Sequence, residues 1–238
     1  MTTAVVCTIG NEIVCGDVEN TNAPWLARRL ATLGIEVRLL AAVRDDVEEI
    51  AAFLRAEKDR VGVVVVTGGL GGTPDDLTRE AVAAAFGVPC EEIPELAERL
   101  RGRFAARGLG DYAARWANLP RGAVPLENPL GGAPGFVLGN VHVLPGLPSE
   151  MEAMFETFAE RLQGQPIGSW RRRYRTGEGQ IVAVLEEATR RHPGVAVGSY
   201  PSFPTGGPEV EVVLRSRDEA ALSEASAWVE AALAERAG

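Results

Sequence analysis

The densest chemistry in the chain lies between Thr67 and Thr78, read Thr-Gly-Gly-Leu-Gly-Gly-Thr-Pro-Asp-Asp-Leu-Thr. Four glycines within five residues follow the valine run Val63 to Val66, and glycine lets backbone N–H groups approach a ligand closely. A helix opening behind such a loop adds its positive end, so an anion such as phosphate is the natural guest. The pattern is neither G-x-G-x-x-G nor a P-loop with its lysine. Asp75 and Asp76 would repel a phosphate unless a divalent cation lay between them. Mg2+ binds one or two carboxylates plus phosphate oxygens, so loop and acids together point to metal-assisted chemistry on a phosphate or pyrophosphate. The same residues also have a purely structural reading. Thr73 would cap a helix, Pro74 take its first turn and Asp76 complete a capping box.

Three further segments follow strands and could line the same pocket. Gly10-Asn11-Glu12, with Gly16-Asp17, reads as a loop in which Glu12 either meets a ligand hydroxyl or amine or is merely solvated. Asp45 is a metal ligand or the cap of the next helix. Pro145-Gly146-Leu147-Pro148-Ser149-Glu150 contributes backbone amides or is only a rigid helix start.

Positioning these segments requires strands that end where they begin. Thr3 to Ile9, Glu36 to Ala42 and Val61 to Val66 read as strands, the last of the continuous apolar kind buried on both faces of a parallel sheet. Helices are expected over Asn22 to Leu33, Val47 to Lys58 and from Pro74 or Asp75 to Phe86. A charged helix follows over Glu91 to Arg107, and a short one over Asp111 to Asn118. Pro120 to Gly135 reads as loop, and Phe136 to Leu138 with Val141 to Leu144 as a hairpin across Gly139-Asn140. A helix then runs from the Pro148 region to about Leu162. After a linker over Gly164 to Gly168, the tail reads as a strand near Arg173, a helix from Gly179 to Arg191, strands Val195 to Tyr200 and Glu209 to Arg215, and a helix from Asp218 to Glu235. The fold class is α/β, with a small α+β tail.

Composition removes several functions. A net charge of -9 speaks against a nucleic-acid binder, and the basic cluster Arg171-Arg172-Arg173 with Arg175 reads as a solvated strand edge. Lys58 is the only lysine and sits at a helix end, which removes Schiff-base and P-loop mechanisms. Cys7, Cys15 and Cys90 show no CxxC spacing, and His142 and His192 cannot build a zinc site, so any metal is a hard ion on carboxylates. No apolar run approaches the roughly 20 residues of a membrane span, and Thr2-Thr3 leads straight into a strand, so a cytoplasmic protein is expected.

Taken in order, Gly10 to Gly16, Asn20-Thr21-Asn22, Thr67 to Thr78, Gly132-Ala133-Pro134-Gly135-Phe136 and Leu144 to Met151 resemble the CinA family, which carries a MoaB/Mog-type molybdopterin-binding domain. The resemblance covers about Met1 to Leu162, and Gly198-Ser199-Tyr200-Pro201 extends it into the tail. It implies a three-layer α/β/α domain with a mostly parallel sheet over 1–165 and a small α+β domain over 166–238. The expectation is a short form without the amidase half of full-length CinA, whose activity is not carried over. By motif position, the two aspartates central to Mog-like enzymes fall on Asp45 and Asp76, and Asp45, Asp75 and Asp76 become candidate metal ligands. Thr67, Gly68, Gly69, Gly71, Thr73, Thr78, Glu12, Arg115, Pro145, Gly146, Ser149 and Glu150 become substrate or phosphate contacts. The resemblance further implies Mg2+ or another divalent cation, with K+ stimulation, hydrolysis of ADP-ribose or FAD-like dinucleotides, and a homodimer or trimer. Its alternatives are molybdopterin binding or adenylylation, and a non-catalytic pterin or nucleotide module. Gly72 and Gly132 depart from the usual Pro and Thr, Asn11 from Thr or Asp, and Trp116 from Gln or Met.

Overall fold

The computed structural model describes residues 2–162, 164 and 167–234, which divide into two compact units, Met1–Gly164 and Gln165–Gly238. In the first, a six-stranded sheet runs in the order β2 (Glu36–Val43), β1 (Thr3–Ile9), β3 (Val63–Thr67), β8 (Val141–Leu144), β7 (Gly135–Leu138), β6 (Val124–Leu126). The first four strands are parallel, and β8, β7 and β6 pair antiparallel. Alternate side chains enter different cores. Val5, Cys7 and Ile9 pack with α3 (Val47–Glu57), α4 (Thr78–Phe86) and α5 (Pro94–Phe104). Ala4 and Val6 pack with α2 (Asn22–Thr32) and α7 (Pro148–Glu156) on the other face. Burial of Val63 to Val66 on both faces contributes on the order of 2 kcal/mol per side chain, which is why β3 sits in the middle of the sheet. This is the three-layer α/β/α arrangement.

Several boundaries differ from expectation. Asn11–Cys15 is a short helix, α1, because Gly16 closes it in the left-handed region at φ 83° and returns its N–H to Ile13. Glu91 and Glu92 belong to β4 (Cys90–Glu92), which pairs with β5 (Asn118–Pro120), so α5 starts only at Pro94. The segment after α5 forms α6 (Gly110–Ala114) and a 3-10 turn over Arg115–Ala117, and the expected loop over 120–135 contains β6. Helix α4 begins at Thr78 rather than Pro74, for reasons that belong to the site.

The second unit is a three-stranded antiparallel sheet, β10 (Ala196–Ser202), β11 (Glu209–Ser216), β9 (Gly168–Tyr174). Its core joins Val210, Val212 and Leu214 to Ile181 and Val184 of α8 (Glu178–Arg191) and to Leu222 and Val229 of α9 (Glu219–Ala234). The arginines of edge strand β9 and the one just after it pair with acids: Arg171 and Arg173 with Glu211, Arg172 with Glu230, and Arg175 with Glu209. The expected linker lies partly outside the described residues, and so does Glu235. Among the described residues no helix is long and apolar enough to cross a membrane.

Candidate functional site

The parallel strands β1, β2, β3 and β8 all end on one edge, and their following loops enclose a cleft of about 590 Å3. Ligands of open α/β sheets bind at this edge, because the loops there diverge. Gly10 N–H donates to Val43 O and Gly68 N–H to Leu144 O, each at 3.1 Å, so neighbouring loops are tied where they leave the sheet.

The glycine loop owes its shape to two left-handed residues. Gly68 (φ 107°) places its Cα so that a Cβ would lie 2.2 Å from Ile9 O, and a Cβ on Gly69 (φ 64°) would lie 2.2 Å from Thr78 Oγ1. Beyond them the loop is held from within. Asp76 accepts the Gly71 N–H at 2.7 Å on one oxygen and the Thr73 N–H at 2.8 Å, with the Thr73 hydroxyl, on the other. The Gly72 N–H donates to the Tyr112 hydroxyl at 3.1 Å. Thr78 donates its N–H to Gly69 O and its hydroxyl to Gly68 O, and this binding to the loop delays the start of α4. Arg79, buried beneath, donates to the carbonyls of Leu70 and Gly71, and burial pushes its guanidinium pKa down. Among the loop amides with no acceptor on another described residue are those of Gly69 and Leu70. Half of the expected capping box is thus present in Thr73 and Asp76, but it folds the loop and not a helix end.

Acidic groups line the same cleft. Asp46, not Asp45, caps α3, taking the N–H groups of Glu48 and Glu49 at 2.9 Å. Asp45 is thereby free to face the cleft, where its Oδ2 accepts the Asn11 N–H at 2.7 Å. Partial burial raises its carboxyl pKa above 3.8, and the nearby Glu12 and Asp75 carboxylates raise it further. Crowded carboxylates facing a cleft suit a cation, which relieves both their repulsion and their desolvation. Among the described residues no group of three or more His, Cys, Asp and Glu side chains could hold a metal ion by itself. Mg2+ does not need one, since it takes one or two carboxylates and completes its shell with water and phosphate. Asp45 and Asp75, with Glu12 adjacent, fit that description better than Asp76, whose two oxygens are engaged in the loop.

Of the residues singled out from sequence, Glu12, Asp45, Gly68, Gly69, Gly71, Asp75, Asp76, Pro145, Gly146 and Glu150 line the cleft. Thr67 and Thr78 do not; both are fully buried, with hydroxyls given to Pro145 O and Gly68 O. Arg115 and Thr73 line a separate cavity behind the loop, and Ser149 is exposed outside the cleft. Glu150 receives an N–H from Asn128 at 2.9 Å and lies against Gly132, where a Cβ would meet its carboxylate at 2.4 Å. Asn22 and Trp116 are among the cleft residues that received no role from sequence. The first stands in a quoted motif and the second in a noted departure, but only the fold brings them to the pocket.

Fold and site define a molybdopterin-binding type of α/β domain, and comparison with known proteins agrees. Residues 5–164 match the family described as "probable molybdopterin binding domain", and residues 173–237 match the "FAD synthase, middle domain". A protein of Pyrobaculum calidifontis is 39% identical over 84% of this chain and 81% of its own length. A CinA-like protein of Frankia casuarinae is 38% identical over 96% of this chain but 57% of its own length, so the chain spans little more than half of that relative. The crystal structure of the protein CinA from Thermoplasma acidophilum, 35% identical, superposes with a TM-score of 0.62 over 68% of this chain and 98% of that one. The chain belongs to the CinA family and carries its MoaB/Mog-like molybdopterin-binding domain.

Proposed function

We propose that this chain is a divalent-metal-dependent nucleotide pyrophosphatase acting on dinucleotides such as ADP-ribose or FAD. The observation that carries the reading is Asp45, released from helix capping by Asp46 and set near Glu12 and Asp75 in the cleft that the glycine loop also lines with open amides. In this reading the Gly69 and Leu70 N–H groups cradle the diphosphate, and Asp45 and Asp75 hold Mg2+. When bound, the ion neutralises the phosphate oxygens and orients the attacking water. Water adds to phosphorus, the P–O–P bridge breaks, and ADP-ribose yields AMP and ribose 5-phosphate. Asp76 contributes by keeping the loop open, and Arg79 by placing a buried positive charge under it. The match of the tail to a domain of FAD synthase supports a nucleotide-diphosphate ligand. A cytoplasmic homodimer or trimer and stimulation by K+ go with this reading.

The family's description favours a second reading, in which the ligand is molybdopterin, bound or adenylylated. One panel separates the two: purified protein with Mg2+, Mn2+ or Co2+ against ADP-ribose, FAD, NAD, and molybdopterin plus ATP. AMP release from ADP-ribose or FAD, lost in Asp45→Asn, is expected. Adenylylated pterin without AMP release establishes the second reading, and tight binding without turnover a non-catalytic module. Unchanged hydrolysis by Asp45→Asn sinks the metal assignment.

A further inference from the structure

Two residues that line this cleft each carry a buried polar atom with no partner among the described residues, Asn22 its Oδ1 and Trp116 its Nε1. Asn22 is 6% exposed and Trp116 8% exposed, so water does not readily satisfy either, and buried polar groups left unpaired are costly. The Asn22 amide cannot turn over to change its character. Its Nδ2 donates to Thr67 Oγ1 at 3.1 Å and to Gly146 O at 2.8 Å. The Thr67 proton is already committed to Pro145 O at 2.6 Å, and a carbonyl oxygen can only accept, so both neighbours require the amide NH2. Oδ1 is thereby fixed as an open acceptor. Trp116 is fixed as an open donor, because its ring is wedged edge-to-face against Phe104 at 5.3 Å and Tyr112 at 5.6 Å.

The two come from opposite layers. Asn22 starts α2, whose Ala23 and Leu26 belong to the core on one face of the sheet, and Trp116 belongs to the core on the other. The glycine loop leaves β3 between those two layers. We infer that the cleft reads a nucleoside diphosphate laid across the sheet edge: its ring offers a carbonyl or ring nitrogen to the Trp116 indole N–H, its diphosphate rests on the glycine loop, and a sugar hydroxyl donates to Asn22 Oδ1. This rests on the dinucleotide reading above and assigns the two ends of the ligand. A phenyl ring or an aliphatic chain, having no acceptor, gains nothing at the indole end, because the N–H stays buried without a partner.

The test uses the full chain with ADP, FMN, ribose 5-phosphate and pyrophosphate as probes, in 15N spectra that resolve the indole N–H of each tryptophan, with Trp116→Phe identifying its peak. ADP or FMN is expected to move the Trp116 peak, whereas ribose 5-phosphate and pyrophosphate leave it in place; which of the two rings acts tells adenine from flavin. Trp116→Phe should weaken the ring-bearing probe about tenfold and pyrophosphate by less than twofold. Asn22→Ala should weaken ribose 5-phosphate about tenfold, again sparing pyrophosphate. A Trp116 peak unmoved by both ADP and FMN overturns the proposal and needs no variant to fold. If that happens while ADP-ribose is still hydrolysed, the pyrophosphatase reading stands without it. If the peak moves but no dinucleotide is hydrolysed, the reading assignment stands and the hydrolase does not.

Discussion

Asp45 Oδ2 accepts the backbone N–H of Asn11 at 2.7 Å, which ties the end of β2 to the start of α1 and points a carboxylate of raised pKa into the cleft. The adjacent Asp46 makes this possible by taking over the capping of α3.

Asp45 therefore weakens the fold in its charged form. Its folded-state pKa is raised above 3.8, so its contribution to stability is full below about that pH and is lost as pH rises through the folded value. Asp45→Asn should melt higher than the parent at pH 7, with the gap closing as pH falls through the folded value towards 3.8. The same variant should lose the upward shift in melting temperature that Mg2+ gives the parent protein. A variant that melts lower at pH 7, or that Mg2+ still stabilises, contradicts the placement of Asp45.

Asp76 should behave differently despite lying beside Asp75. In Asp76→Asn one oxygen becomes an NH2 that faces either the Gly71 N–H or the Thr73 N–H, donor against donor. The loop should loosen at a cost of about 1–3 kcal/mol, and pyrophosphate binding should weaken at least tenfold. Mg2+ affinity should change little. Calorimetric titration with each ligand checks the split, and a selective loss of Mg2+ would return Asp76 to the metal.

Gly72 and Tyr112 form a matched pair. A Cβ at position 72 would lie 2.7 Å from the Tyr112 ring, and the Gly72 N–H donates to its hydroxyl. Gly72→Pro removes the donor and adds the clash, so it should cost about 2–4 kcal/mol and lower the melting temperature by roughly 5–15 °C. Adding Tyr112→Ala should recover part of that loss in a double-mutant cycle. Simple additivity of the two would break the pairing.

Gly68 tolerates no side chain at all. Gly68→Ala drives a Cβ to 2.2 Å from Ile9 O in a left-handed backbone, so β1 and β3 must part at their ends. A loss of about 3 kcal/mol or more is expected in denaturant unfolding. Gly102→Ala, in the last turn of α5 with open space around it, should instead be neutral or stabilising by up to about 1 kcal/mol.

Local pattern was enough for the parallel strands, the glycine loop at the end of β3 and the longer helices of both units, because each is set by apolar periodicity, capping residues and glycine's freedom within a few positions. It was not enough for α1 or for the starts of α4 and α5. The family could be read from motif order alone. Which carboxylate does what could not. Asp45 and Asp46 are equal candidates for a helix cap until the path from β2 into α3 gives that place to Asp46. Asp75 and Asp76 look like one pair until the loop closes on Asp76 and leaves Asp75 outside. Thr67 and Thr78 look like phosphate contacts until burial turns their hydroxyls onto Pro145 and Gly68. Asn22 and Trp116, 94 positions apart, meet one cleft only because opposite helical layers end at the same sheet edge. Short-range chemistry selected the elements, whereas the partner of each polar group was decided by long-range packing, which no local spacing encodes.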